Sequence, residues 1–284
     1  MTKKGKIILF SSIGVVVLAL GTVGGIFLGT QVFAKHEAPV VEKTIADYEN
    51  ESNYEALYEE LNTSLNTKTV NEVFNESEPL KIVQYALAKK VKANYISSIT
   101  TGTSKAFIAT QDIKAKYIKD GDTHYEENIS TGLVNTAKSF KTENGNISVY
   151  EGSFKDGEVE WSTTPLETIS KADFKEKWGM DYSLPTTYLI CKDSIKSGNK
   201  ESSNDTFTVT LELDPTISTL KYVKQQQLMG GLDEQPIFTK VSHTYTLDKE
   251  FKITSIVVDE SSQVKKGLWV NNSSHMENTF TYIK

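Results

Sequence analysis

Apolar and polar positions follow different periods in successive blocks of this chain. Ile7 to Ala34 carries no charged side chain. The run exceeds the ~20 residues a helix needs to cross a bilayer core, so it predicts a membrane-spanning segment. Tyr54, Leu57, Tyr58, Leu61 and Leu65 then recur at helical spacing, which predicts an amphipathic helix. Asn75-Glu76-Ser77-Glu78 before Pro79 reads as a helix start, with acids at the positive end of the dipole. Leu80, Val83, Leu87 and Val91 give this second helix its apolar face, and it is expected to end near Asn94.

From Ile96 the helical period ends. The β-rich runs Phe107–Ile118, Thr123–Ser130, Leu133–Thr142, Ile147–Phe154 and Glu158–Thr163 follow, with Asp120-Gly121, Asn144-Gly145 and Asp156-Gly157 as turn signals. Such pairs suit two-residue hairpin turns, where positive φ is required, and predict an antiparallel meander. Ser170 with Asp173 resembles a capping pair for a short helix carrying Ile169, Phe174 and Trp178 and stopping at Gly179. Lys192 to Asp205 shows no period and is expected to be a long, mobile polar loop.

Thr206–Leu213 is the clearest strand: Phe207, Val209, Leu211 and Leu213 face one way, the threonines and Glu212 the other. Asp214-Pro215 ends it, and Ile217, Leu220 and Val223 begin a helix that Gly230-Gly231 closes. Ile237–Leu247 and Phe251–Val258 flank a turn at Asp248-Lys249, and Phe280 and Tyr282 mark a final strand. Segregated helices and an antiparallel sheet make the fold class α+β.

Charge then orients the chain. Lys3, Lys4 and Lys6 precede the apolar run, and only Lys35, soon followed by Glu37, stands just after it. The positive-inside tendency puts the N-terminus in the cytoplasm. The expected organisation is a cytoplasmic stretch 1–6, a transmembrane anchor 7–34, a juxtamembrane linker or frayed helix 35–52 and an extracytoplasmic domain 53–284. Val32-Phe33-Ala34 offers a rival reading as a secretory cleavage site, which would release the domain, but secretory apolar regions run to only about 7–15 residues. Gly21, Gly25 and Gly29 share one helical face through which two such helices would approach as a homodimer. Glycine is also common in membrane helices generally.

Composition narrows the partners. The formal charge is −6, and all 31 basic residues are lysines, so no basic surface invites nucleic acid and no bidentate arginine clamp exists. The enrichment in Lys, Asn, Ile and Tyr reflects AT-rich codon usage and a bacterial source. Cys191 is the only cysteine, which excludes an internal disulfide and, standing far from the apolar run, a lipoprotein anchor. Its neighbours Tyr188-Leu189-Ile190 predict a buried structural thiol.

The chemistry is sparse. There is no phosphate-binding glycine loop, G-x-S-x-G elbow or HExxH. The histidines are His36, His124, His243 and His275. Asp120-x-Asp122-x-His124-x-Glu126 would line one face of an extended strand like a metal site, although Asp120 already has a reason to sit in a hairpin turn. His275 and Glu277 form a poorer pair. No catalytic, cofactor or metal residue is nominated.

Ile113–Glu127 and Val241–Ile256 are strand–turn–strand units rich in lysine and aromatics. With helices ahead of a long curved sheet, this order resembles the LolA-like lipoprotein-carrier half-barrels, from about Tyr54 to the end. The resemblance implies amphipathic helices covering the sheet and an apolar ligand held between them; no signature residue carries over. The expected function is therefore a non-enzymatic, membrane-tethered extracytoplasmic protein binding an apolar ligand or an envelope component. A purely structural or interaction domain of the envelope, and a metal-dependent enzyme, are the alternatives.

Overall fold

The computed structural model describes residues 41, 43–51, 54–106, 109–132, 135–143, 145–178, 188–203, 206–229, 233–266 and 268–283. The apolar run with Gly21, Gly25 and Gly29, the stop at Gly179 and the Gly230-Gly231 pair lie outside the described residues. Among those described, no helix is long and apolar enough to cross a membrane.

Among the described residues four helices come first: α1 (Ile45–Glu51), α2 (Tyr54–Leu65), α3 (Val70–Glu76) and α4 (Pro79–Lys92). The expected helices are α2 and α4. Helix α1 begins at Thr44, whose hydroxyl accepts from Asp47 N while Asp47 Oδ2 accepts from Thr44 N. Helix α3 starts with a capping box, Thr69 and Glu72 each accepting from the other's backbone. Its C-terminal carbonyls are met by Lys200, whose ammonium donates to Phe74 O and Asn75 O, and to Ser77 O just beyond.

A meander follows: β1 (Tyr95–Ala106), β2 (Ala109–Asp120), β3 (Thr123–Gly132), β4 (Thr136–Glu143), β5 (Asn146–Lys155) and β6 (Glu158–Trp161), with β7 (Glu167–Ser170) also pairing β5. At the β5–β6 turn both Asp156 and Gly157 have positive φ, 51° and 86°, as a type I′ hairpin requires. The chain then makes α5 (Lys171–Trp178), capped by Ser170 as expected through a 3.0 Å bond from Asp173 N.

The remaining strands are β8 (Ile195–Ser203), β9 (Thr206–Leu213), β10 (Ile237–Leu247), β11 (Ile253–Lys266) and β12 (Leu268–Thr281), with α6 (Pro215–Ser218) and α7 (Leu220–Met229) between β9 and β10. All twelve strands belong to one open, curved antiparallel sheet ordered β6-β5-β4-β3-β2-β1-β12-β11-β10-β9-β8. The pairing of β1 with β12 thus joins an N-terminal wing, β1–β7, to a C-terminal wing, β8–β12.

Three expectations need correction. Lys192 to Asp205 is not a loop: a 3-10 turn at Lys192–Ser194 leads into β8, an edge strand paired along β9. Backbone pairing on one side suffices there, and a polar, lysine-bearing edge resists further pairing. Phe107–Ile118 is not the first strand, because β1 precedes it. The last strand is far longer than Phe280 and Tyr282, reaching back to Leu268.

The core lies between α2–α4 and the inner face of the C-terminal wing. Leu61, Phe74, Ile82, Val83 and Leu87 meet Phe207, Val209, Leu211, Leu247 and Ile253, all at 2% exposure or less. Each such side chain contributes roughly 1.5–3 kcal/mol of transfer energy. Phe251, held at φ 57° in the β10–β11 turn, inserts its ring edge-on between Tyr85 and Phe207. Helix α4 reaches the sheet edge at Gly198, where an added Cβ would sit 2.8 Å from Pro79 Cβ.

Candidate functional site

Register settles which side chains share the inner face. One row runs Ser130, Ile113, Gly102, Met276, Val258, His243, Leu211 across β3, β2, β1, β12, β11, β10 and β9. The next runs Gln111, Ser104, Ser274, Glu260, Val241, Leu213. The inner face is therefore apolar at its C-terminal end and becomes polar toward the N-terminal wing. Helix α4 makes its main sheet contacts on β8, β9 and β11, at the apolar end, and its last turn also meets β2 where Lys119 Nζ donates to Val91 O. Small side chains, Ser98, Thr100, Gly102, Ser104, Ala115 and Ser130, face inward from β1–β3.

At the boundary sits a buried polar knot. Glu260, 5% exposed, accepts from the Tyr188 hydroxyl and, at 2.9 Å, from Ser274 Oγ. Burial pushes its carboxyl up to about 7, against the lowering effect of these two donors. The Tyr188 ring lies edge-on to His243 at 4.4 Å and tilted to Tyr222 at 5.8 Å. His243 Nδ1 is 2.9 Å from Tyr245 Oη, and its Nε2 is buried without a hydrogen-bond partner among the described residues. Burial holds this imidazole neutral, with a pKa down at about 3. Tyr188 is carried by a strap leading to β8, fixed by Leu189 N to Ser218 O at 2.9 Å and Gln84 Nε2 to Ile190 O at 2.9 Å.

The belt continues into the N-terminal wing as hydroxyls and amides. Ser104 Oγ donates to Asn272 Oδ1 at 2.7 Å, and Gln111 Nε2 donates to Ser130 Oγ at 2.5 Å. On β3, Glu126 accepts from Asn128 Nδ2 at 2.7 Å, and burial pushes its carboxyl up to about 7.

The metal-like string and the histidine pair seen in the sequence do not converge on a site. Asp120 ends β2 and Asp122 lies exposed in the turn, so the metal-like string is split by its own hairpin. Only His124 and Glu126 share the inner face, and His124 Nδ1 is already 2.8 Å from Tyr117 Oη. His275 does not pair with Glu277; its Nδ1 lies 2.7 Å from Asp259 Oδ1 on the outer face. Cys191 is fully buried, as its neighbours implied. Neither Glu260 nor Tyr188 stands out in the sequence. Extending the alternation of Ile256 and Val258 by one more step would have placed Glu260 inward.

No family model and no curated protein matches the chain. Among solved structures it is similar to the crystal structure of the Mycobacterium tuberculosis lipoprotein LppX, at 11% identity and a TM-score of 0.36, over 72% of this chain and 93% of that one. It is also similar to a DUF1329 family protein from Desulfovibrio piger, at 12% identity and a TM-score of 0.24, over 72% and 92%. Neither likeness carries a residue or a ligand over to this chain. The resemblance to the LolA-like half-barrels read from the sequence extends to one open antiparallel sheet with amphipathic helices on one face.

Proposed function

We propose that the chain is a non-enzymatic binding protein of the bacterial envelope, tethered by Ile7–Ala34 with its folded domain outside the membrane. Its ligand is an apolar, lipid-like molecule with an uncharged polar group, taken on the inner face of the N-terminal wing. One observation carries this reading: the main sheet contacts of α2–α4 fall on β8, β9 and β11, and beside them the inner face of β1–β3 is built of small, buried side chains around Ile113 and Met276. A hydrocarbon chain fits such a floor, and the hydroxyl and amide belt beside it supplies hydrogen bonds without fixed charge. Two buried carboxyls, Glu126 and Glu260, disfavour an anionic head there.

A second reading has its own support. Under α2–α4 the inner face is filled by the helices' own side chains, so this part of the interior holds no ligand. A domain filled throughout would be an interaction module instead.

A chain beginning at residue 41, purified without detergent, decides between them. Saturable binding of a fluorescent fatty acyl probe, weakened at least tenfold by Thr100→Trp on the inner face of β1, is the expected result. No binding, or binding indifferent to that substitution, leaves the interaction module.

A further inference from the structure

The outer face of the sheet carries an open groove of about 470 Å³ where β1, β12, β11 and β10 run side by side. Its chemistry follows from register. Lys105 stands opposite Ser273, Ser273 opposite Ser261, and Ser261 opposite Lys240, so a lysine closes each end of a row with two serines between. Strand spacing puts the lysine backbones roughly 14 Å apart, a gap that two extended side chains close over the serines. The next row holds Thr103, His275 and Asp259.

The charges in this groove are unevenly engaged. Asp259 is held by His275 at 2.7 Å. Lys105 and Lys240 are both exposed, and neither has an acid partner among the described residues, whereas Lys43, Lys68, Lys81, Lys155, Lys221, Lys252 and Lys265 all do. No Phe, Tyr or Trp lines the groove, so a sugar has no large aromatic face to stack on. Hydroxyl donors between two ammonium groups that form no ion pair among the described residues match a tetrahedral oxyanion. With no arginine in the chain, lysine is the residue left to hold one, as a point charge.

We propose that this groove is a phosphoryl-binding site, on the face of the sheet opposite the core and independent of the ligand reading above. The phosphoryl group comes either from a small soluble phosphoester or from a lipid headgroup, and the same row of Lys105, Ser273, Ser261 and Lys240 receives it in both cases.

The test uses the full chain in uncharged maltoside micelles. It is titrated with glycerol 3-phosphate and, separately, with water-soluble dihexanoyl phosphatidic acid, following backbone amide resonances. The expected result is saturable shifts at Ser261, Ser273 and His275, weakened at least tenfold in the Lys105→Ala/Lys240→Ala variant and unchanged in Lys114→Ala on neighbouring β2. Response to glycerol 3-phosphate identifies a soluble source, and response to the lipid alone identifies a headgroup. Saturation by neither ligand, or binding that survives in the double variant with its spectrum otherwise intact, overturns the site.

Discussion

Strands β9 and β1, one from each wing of the sheet, obey the same alternation and bury opposite chemistry. On β9 the inward residues are Phe207, Val209, Leu211 and Leu213; on β1 they include Ser98, Thr100, Gly102 and Ser104. Buried and less buried positions alternate cleanly along β9 and over most of β1. The difference is what packs above: the main sheet contacts of α4 fall on β8, β9 and β11 of the C-terminal wing, whereas its tie to β2 is a lysine–carbonyl bond, Lys119 Nζ to Val91 O. Alternating burial is thus a property of the pleat, and hydrophobicity at the inward positions follows only where another apolar element lands on them.

The largest expected effect breaks the comparison at its apolar end. Leu211 is fully buried against the helical cap, and Thr210 points to the outer face, 3.1 Å from Thr244. Leu211→Ala should cost on the order of 2–5 kcal/mol in urea unfolding, and Thr210→Ala under about 1 kcal/mol. Equal losses would mean that both faces of β9 are packed, and the division into inner and outer faces would fall.

The next effect lies at the boundary and depends on pH. Glu260 has its carboxyl raised from 4.5 to about 7 in the folded protein. The folded state therefore holds a proton that the unfolded state has lost, and stability falls as pH rises from about 4.5 to about 7. His243 acts in the opposite sense: its folded value near 3, against an ordinary 6.5, removes stability as pH falls through that interval. Relative to the parent, Glu260→Gln should gain on the order of 3 kcal/mol between pH 4.5 and 7. Parallel stability curves for the two proteins would show that Glu260 is solvated in the folded state.

The same division explains what the sequence made legible. Where inward residues are apolar, as in Thr206–Leu213, strand, face and burial were all readable. Where they are Ser98, Thr100 and Ser104, the hydrophobic period vanishes although the backbone pairs just as fully, and β1 was invisible. Strand β8 disappeared for the same reason, its inward positions being Gly198, Lys200 and Ser202. The second half of β11 and the first half of β12, with Glu260, Ser262, Asn272 and Ser274 inward, are hidden likewise. Turn chemistry and helix caps do not depend on what covers a face, so Asp156-Gly157 and Ser170 were read correctly. The buried knot needed long-range knowledge, because Tyr188 and Glu260 meet only after the sheet has formed.

A smaller effect probes the polar wing. Ser104 is 2% exposed and donates to Asn272 Oδ1 at 2.7 Å. Ser104→Ala removes little volume but leaves a buried acceptor short of a donor, so about 1–3 kcal/mol should be lost. Ser104→Ala without measurable cost would show that water satisfies Asn272 and that this half of the inner face is wet. That outcome would sharpen the contrast with Leu211, whose loss no solvent can repair.

The smallest effect asks whether the wings also differ at their surfaces. Lys81 of α4 pairs with Glu60 of α2 at 3.0 Å, and Lys155 of β5 pairs with Glu160 of β6 at 3.1 Å. Both pairs are well exposed, with side chains 40–66% accessible. Water screens them and ordering two long side chains offsets their attraction, so Lys81→Ala and Lys155→Ala should each cost less than about 1 kcal/mol. Raising the salt to about 1 M, where screening acts over roughly 3 Å, should erase both differences. The helical cap would then be held by Leu61, Ile82 and Leu87 rather than by its surface charges. A salt-resistant loss at Lys81 alone would mean that the cap relies on its ion pair, and the asymmetry between the wings would extend from their interiors to their surfaces.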